Sequence, residues 1–202
     1  MILKSLTKLL GGIDEGHDLD YLSLIVGDEQ VISSNYKILP HGFTHLTRMG
    51  YTKTEKLQLL KKFDFTGNIL VYCVKFGFSE LRDTIEHAQS LRNHKISTKI
   101  IRSKVGYEVV LDIRKLFTNF VNSNRLSVDK IEFEVDNDQV RRYIQDGGLR
   151  HRNPDRIHKI ADCVVHANGR EWSFNNNVKE LGDQFKNDFH TRVLKSLTRG
   201  KK

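Results

Sequence analysis

The sequence predicts an α/β protein, a mixed β-sheet with helices packed on it. Three observations predict this. β-forming segments open the chain, apolar runs of strand length then alternate with stretches of helical periodicity, and no repeat or low-complexity linker divides the 202 residues.

Residues 6–14 read as a strand closed by the turn Asp14-Glu15-Gly16, and residues 19–26, rich in β-formers, as a second strand ending at Gly27-Asp28. Residues 31–39 are expected to return as a third strand of an antiparallel meander. Pro40 and Gly42 mark 36–50 as a loop. Leu57, Leu60 and Phe63 make a short helical stripe over 54–63. Residues 68–74 form a near-continuous apolar run, the signature of a central strand covered on both faces. Ser79 suits the N-cap of a helix over 80–91, where Leu81, Ile85 and Ala88 repeat at helical spacing. Residues 93–105 contain either a strand at 98–102 or an irregular crossing.

A clear amphipathic helix follows over 107–122 through Val109, Ile113, Leu116, Phe117 and Phe120. Residues 130–135 read as a strand. Asn153-Pro154-Asp155 opens a helix reaching about residue 167, with Ile157, Ile160, Ala161, Val164 and Val165 inward. The last helix, over 178–197, is more polar. Gly11-Gly12 and Gly147-Gly148 are expected as turns or hinges. The organisation expected is one domain over 1–170 followed by a basic helical extension over 171–202.

Composition narrows the partners. A net charge of +8 concentrates polyanions by Coulomb attraction and counterion release, which suits RNA or DNA. The cations cluster, at Arg141, Arg142, Arg150, Arg152, Arg156 and Lys159, and again at Lys195, Arg199, Lys201 and Lys202. The first group is the expected nucleic-acid-binding surface; the terminal group alone is also what a solubilising tail looks like. The longest apolar runs fall far short of the ~20 residues a membrane span needs. The first ten residues lack the uninterrupted apolar stretch of a secretory signal. Cys73 and Cys163 sit inside apolar patterns, as buried reduced thiols do, so a cytoplasmic location is expected.

The acids stand at the ends and edges of the core elements. Asp14 and Glu15 end the first expected strand, Asp136 and Asp138 follow the strand at 130–135, and Asp162 lies at the edge of the apolar stripe of its helix. Carboxylates that converge where adjacent strands end can hold hard divalent cations. Two such ions activate a water and neutralise the leaving oxygen of a phosphodiester.

The order of elements and acids resembles the RNase H-like nuclease superfamily. Within it, the chain is most similar to a branch with an opening Asp-Glu-Ser-Gly turn and a closing helix that reads Gln-x-Ala-Asp. Here these stand as Asp14-Glu15-Gly16 and Lys159-Ile160-Ala161-Asp162, with Asp136-Asn137-Asp138 as the middle motif. The serine is absent and the glutamine is Lys159. The resemblance covers roughly residues 6–167. It implies an RNase H-like sheet of five strands or slightly more, and hydrolysis of RNA or DNA with two Mg²⁺ or Mn²⁺ ions. It also implies Asp14, Asp136 and Asp162 as catalytic metal ligands, with Glu15 or Asp138 as auxiliaries. The acid such nucleases carry near the central strand is matched most nearly by Glu80.

Each of these residues also has a plainer reading. Asp14 suits a turn before Gly16, Asp136 and Asp138 a polar turn into a helix N-terminus, and Asp162 a salt bridge to Arg156 or Lys159. His158, Asp162 and His166 share a helical stripe with zinc-like spacing, but the His-Glu-x-x-His pattern is missing. His41 and His45 lie in or near a loop, where one of them could assist proton transfer. Trp172 is expected to pack on the body of the protein. The rival to a nuclease is a non-catalytic nucleic-acid-binding protein.

Overall fold

The computed structural model describes residues 9–16, 20–92, 95–126, 131–152, 155–168 and 178–198. Its strands are β1 (Leu9–Gly16), β2 (Tyr21–Asp28), β3 (Ile69–Lys75), β4 (Phe133–Val135), β5 (His151–Arg152) and β6 (Lys179–Leu181). Its helices are α1 (Glu29–Tyr36), α2 (Lys53–Leu60), α3 (Phe78–Arg92), α4 (Thr98–Ser123), α5 (Asp138–Asp146), α6 (Ile157–Asn168) and α7 (Asp183–Thr198).

The expected mixed sheet is present, with six strands in the order β5-β4-β1-β2-β3-β6. β1, β2 and β3 form an antiparallel meander. β4 joins β1 in parallel, β5 joins β4 in parallel, and β6 lies parallel to β3 at the far edge. Alternation along the strands divides the core in two. Ile13, Leu24, Val26 and Val74 face Leu81, Val109, Ile113, Ile144 and Phe189 of α3, α4, α5 and α7. On the other face Ile25 and Val71 meet Ile32, Leu60, Ile160 and Val164 of α1, α2 and α6.

The meander closes differently from the expectation. Residues 31–39 do not return as a strand; they belong mostly to helix α1, and the third strand of the meander is β3. The cause is local. Asp28 caps the helix by accepting the Val31 N–H at 2.8 Å, and Ile32 and Asn35, three residues apart, are the residues that bury. The Asn35 amide then bonds both the N–H and the carbonyl of Asp64, at 2.8 and 2.7 Å, which docks α1 against the approach to β3.

Residues 98–102 are the first turns of α4, not a strand, with Ser97 as N-cap. Ile101, Val105, Val109 and Ile113 recur every fourth residue against the first core, so packing overrides the β-preference of the isoleucines. The last helix begins later than expected, because 179–181 add β6 to the sheet. From the stretch read as an extension, α7 sends Phe189 and Val193 into the first core. Its cations Lys186 and Arg192 pair with Glu80 and with Glu108 and Asp112. Trp172, the turn Asn153-Pro154 and Arg199, Lys201 and Lys202 lie outside the described residues.

Two glycine pairs act through close approach. Gly11 and Gly12 are not a hinge but lie inside β1, where an added Cβ would stand 2.6 Å from the Phe133 ring and 2.9 Å from Ile157. Gly147 ends α5, as a turn residue should, and Gly106 brings α4 against α5. A Cβ at Gly106 would meet the Tyr143 carbonyl oxygen at 2.6 Å, and backbone cannot yield cheaply. Helix propensity alone would make Gly106→Ala stabilising by about 1 kcal/mol. The clash reverses the sign, and a net loss of roughly 1–2 kcal/mol is expected in a urea titration. A raised midpoint would show that the two helices separate freely.

Candidate metal centre

The site lies where β1 and β4 end. Pairing of Ile13 with Val135 sets the carboxyl ends of the two strands side by side, so Asp14 and Asp136 follow at the same level. On β1, Gly12 and Gly16 lie under Ile157 and Val165 of α6, and Asp14, between them, shares their face. Absence of a side chain at both glycines lets α6 approach, and the approach buries Asp14 to 5% exposure. The Ser23 hydroxyl donates to the Ala161 carbonyl at 2.8 Å, fastening α6 to β2 beside the next acid, Asp162.

Asp162 is 1% exposed and fully engaged. Its Oδ2 accepts the Leu46 N–H at 2.7 Å, and its Oδ1 lies 3.2 Å from His166 Nε2 and 3.4 Å from His45 Nδ1. The other ring nitrogen of His45 stands 3.6 Å from Asp136 Oδ2, so this imidazole spans two acids from separate elements. The loop that delivers His45 is anchored by Leu39, Phe43 and Leu46, all buried in the second core. Asp162 therefore pairs with His45 and His166, and its salt bridge is not to Arg156 or Lys159.

Glu15 and Asn137 complete the wall. Asn137 donates to Glu15 Oε1 at 2.8 Å while its own side-chain oxygen caps α5. The second oxygen, Glu15 Oε2, is buried with no hydrogen-bond partner. Together these groups line a polar cavity of about 340 Å³ that also exposes Arg48. Single donor atoms of Asp14, Asp162 and His166 all lie within 4.8 Å of one another.

The two buried acids are driven in opposite directions. Burial, reinforced by Glu15 and Asp162, pushes the Asp14 carboxyl well above the usual range. Burial also works against the Asp162 carboxylate. The His166 and Leu46 hydrogen bonds and the nearby imidazoles outweigh it and hold Asp162 below its ordinary value. Buried negative charge, an unpartnered carboxylate oxygen and convergent oxygen and nitrogen donors fit a divalent cation.

Behind the cavity sits an acid the sequence reading missed. Glu134 is fully buried beneath the N-terminus of α6. It pairs with Arg152 and accepts the N–H groups of Asp155, Ile157 and His158 at 3.0, 2.9 and 3.2 Å. Burial opposes its charge, but the His158 imidazole, the Asp155 and His158 N–H groups and Arg152 hold its pKa down at about 2. The available signal was strand alternation: Gly12 pairs with Glu134, so Glu134 shares the α6 face with Asp14. Arg48 was also missed, because a single arginine in a loop carries no pattern.

Other candidates stand elsewhere. Asp138, the first residue of α5, is exposed and pairs with Arg141, and it does not line the cavity. Glu80 pairs with Lys186 on the outer face of α3. Arg141 also donates to the carbonyls of Val135 and Asp136, which holds the turn carrying Asp136. Arg156 lies 3.5 Å from Asp155, and Lys159 sits over the Tyr36 ring. Arg142 and Arg150 are exposed, with no ion pair among the described residues. Cys73 and Cys163 are buried free thiols, as expected. No described helix is long and apolar enough to cross a membrane.

Fold and site thus define an α/β protein with an acidic, histidine-lined cavity at the ends of two parallel strands. No protein-family model, curated protein or solved structure matches the chain.

Proposed function

We propose that this protein is a divalent-metal-dependent nuclease of RNase H-like fold that hydrolyses phosphodiester bonds of RNA or DNA. The convergence of Asp14, Asp136 and Asp162 on one cavity, from two neighbouring strand ends and the facing helix, carries the reading. The sheet order, antiparallel over β1-β2-β3 and parallel where β4 and β5 extend it, supports the fold assignment. The net charge of +8 supports a polyanionic substrate.

Asp14, Asp162 and His166 would hold a first metal ion, Mg²⁺ or Mn²⁺, and Asp136 and Glu15 would offer oxygens to a second. Such ions would supply Lewis-acid activation of a water and offset negative charge on the scissile phosphate. His45 holds Asp136 and Asp162 in a common orientation. Arg48, which lines the cavity, takes a phosphate oxygen. Arg141 and Arg152 contribute by fixing Asp136 and Glu134.

Labelled single- and double-stranded RNA and DNA, incubated with Mn²⁺, Mg²⁺ or EDTA, test the reading. Cleavage with metal and none with EDTA is the expected result. Salt-sensitive binding with no cutting under any metal would instead leave a non-catalytic nucleic-acid-binding protein, the alternative that the charge alone also supports.

A further inference from the structure

Sites made only of carboxylates and sites that include an imidazole favour different ions. Oxygen donors suit Mg²⁺, Ca²⁺ and Mn²⁺, whereas a ring nitrogen shifts preference toward borderline transition-metal ions. His166 lies one helical turn beyond Asp162 on α6, with Nε2 turned toward it at 3.2 Å. Its ring is 23% exposed, so a ligand reaches it from the cavity. Donors bound about 2.2 Å from one ion stand at most about 4.4 Å apart. The Asp14, Asp162 and His166 donors, all within 4.8 Å, close on a single ion with small side-chain movements. Glu15 lines the same cavity, and its buried Oε2 offers a further oxygen donor there.

We infer that the site formed by Asp14, Asp162 and His166 selects a borderline transition-metal ion, Mn²⁺ or Zn²⁺ in class, over Mg²⁺, with the His166 imidazole as the selecting ligand. The inference rests on the metal-dependent reading above and narrows its cofactor. A merely structural His166, serving as hydrogen-bond donor to Asp162, would leave metal preference untouched.

Mn²⁺ binding to the full chain, read from the loss of the free-ion electron paramagnetic resonance signal and competed with Mg²⁺, tests this without substrate. Wild type should keep Mn²⁺ against about a tenfold excess of Mg²⁺. His166→Gln retains a donor for Asp162 but no ring nitrogen, and the Mn²⁺-to-Mg²⁺ affinity ratio should fall at least about fivefold. His166→Asp, an all-oxygen set, should bring the two affinities within about threefold. Thermal melts of the metal-free variants establish that both fold. An unchanged ratio in both variants, or no Mn²⁺ bound to wild type, overturns the inference. Metal-dependent cleavage with an unmoved ratio would overturn the selectivity and leave the nuclease reading standing. The expected ratio without cleavage would do the reverse.

Discussion

Asp14→Asn is expected to lower metal-dependent cleavage by about 10³-fold or more, which is roughly 4 kcal/mol of transition-state stabilisation. The same substitution should leave the metal-free protein at least as stable as wild type. The two effects share one cause. Asp14 is buried beside Glu15 and Asp162, and its ionised form is costly until a cation offsets it. Because its folded pKa is raised, the Asp14 contribution to stability is full below its unfolded value and is lost as pH rises through the folded one. Metal-free wild type should therefore gain stability as pH falls through that window, and Asp14→Asn should flatten the gain. Thermal melts in EDTA across pH, beside cleavage rates in Mn²⁺, read both halves. A variant that cuts normally would remove Asp14 from the machinery. One that loses both activity and stability would make it a structural residue.

Glu134→Gln should be the most damaging single change to stability outside the apolar core, at about 3 kcal/mol. Its carboxylate, fully buried, neutralises Arg152 and receives the first N–H groups of α6. Glutamine keeps one oxygen for the α6 N–H groups but sets an amide NH2 against Arg152, so the cation loses its counter-charge. The wild-type pKa of about 2 against an ordinary 4.5 corresponds to about 3 kcal/mol by linkage. The sign follows from a lowered pKa: the contribution is present above the unfolded value and fades as pH falls toward about 2. Urea midpoints measured from pH 7 downward should show wild type losing this stability in acid, with Glu134→Gln low throughout and less pH-dependent. Since α6 carries Asp162 and His166, metal affinity should weaken in the same variant. An unaltered urea midpoint at pH 7 would mean that α6 holds its place without Glu134.

Local pattern was a good guide where one element's own neighbours decide its state. The apolar run that became β3 and the stripe of Ile157, Ile160, Ala161 and Val164 in α6 appear where periodicity placed them. Pattern misled at 31–39 and 98–102, where β-branched residues argued for strands. There, caps at Asp28 and Ser97 and packing against the sheet made helices instead. β5 and β6, of two and three residues, are too short to carry a period and exist because a neighbouring strand offers an unpaired edge.

The candidate site divides along the same line. By itself the sequence determined which acids exist, their order, and that Asp14, Asp136 and Asp162 sit at ends or edges of core elements. Tertiary structure decided that Asp14 and Asp162 share a cavity while Asp138 does not line it. It also decided that His45, 117 residues from Asp162, lies between Asp162 and Asp136, and that Glu134 anchors the helix carrying Asp162 and His166. Side-chain period and charge are properties of neighbouring residues and are written in the chain. Which carboxylates meet, and which are buried without water to screen them, depends on strand register and helix docking across more than a hundred residues, which no local pattern encodes.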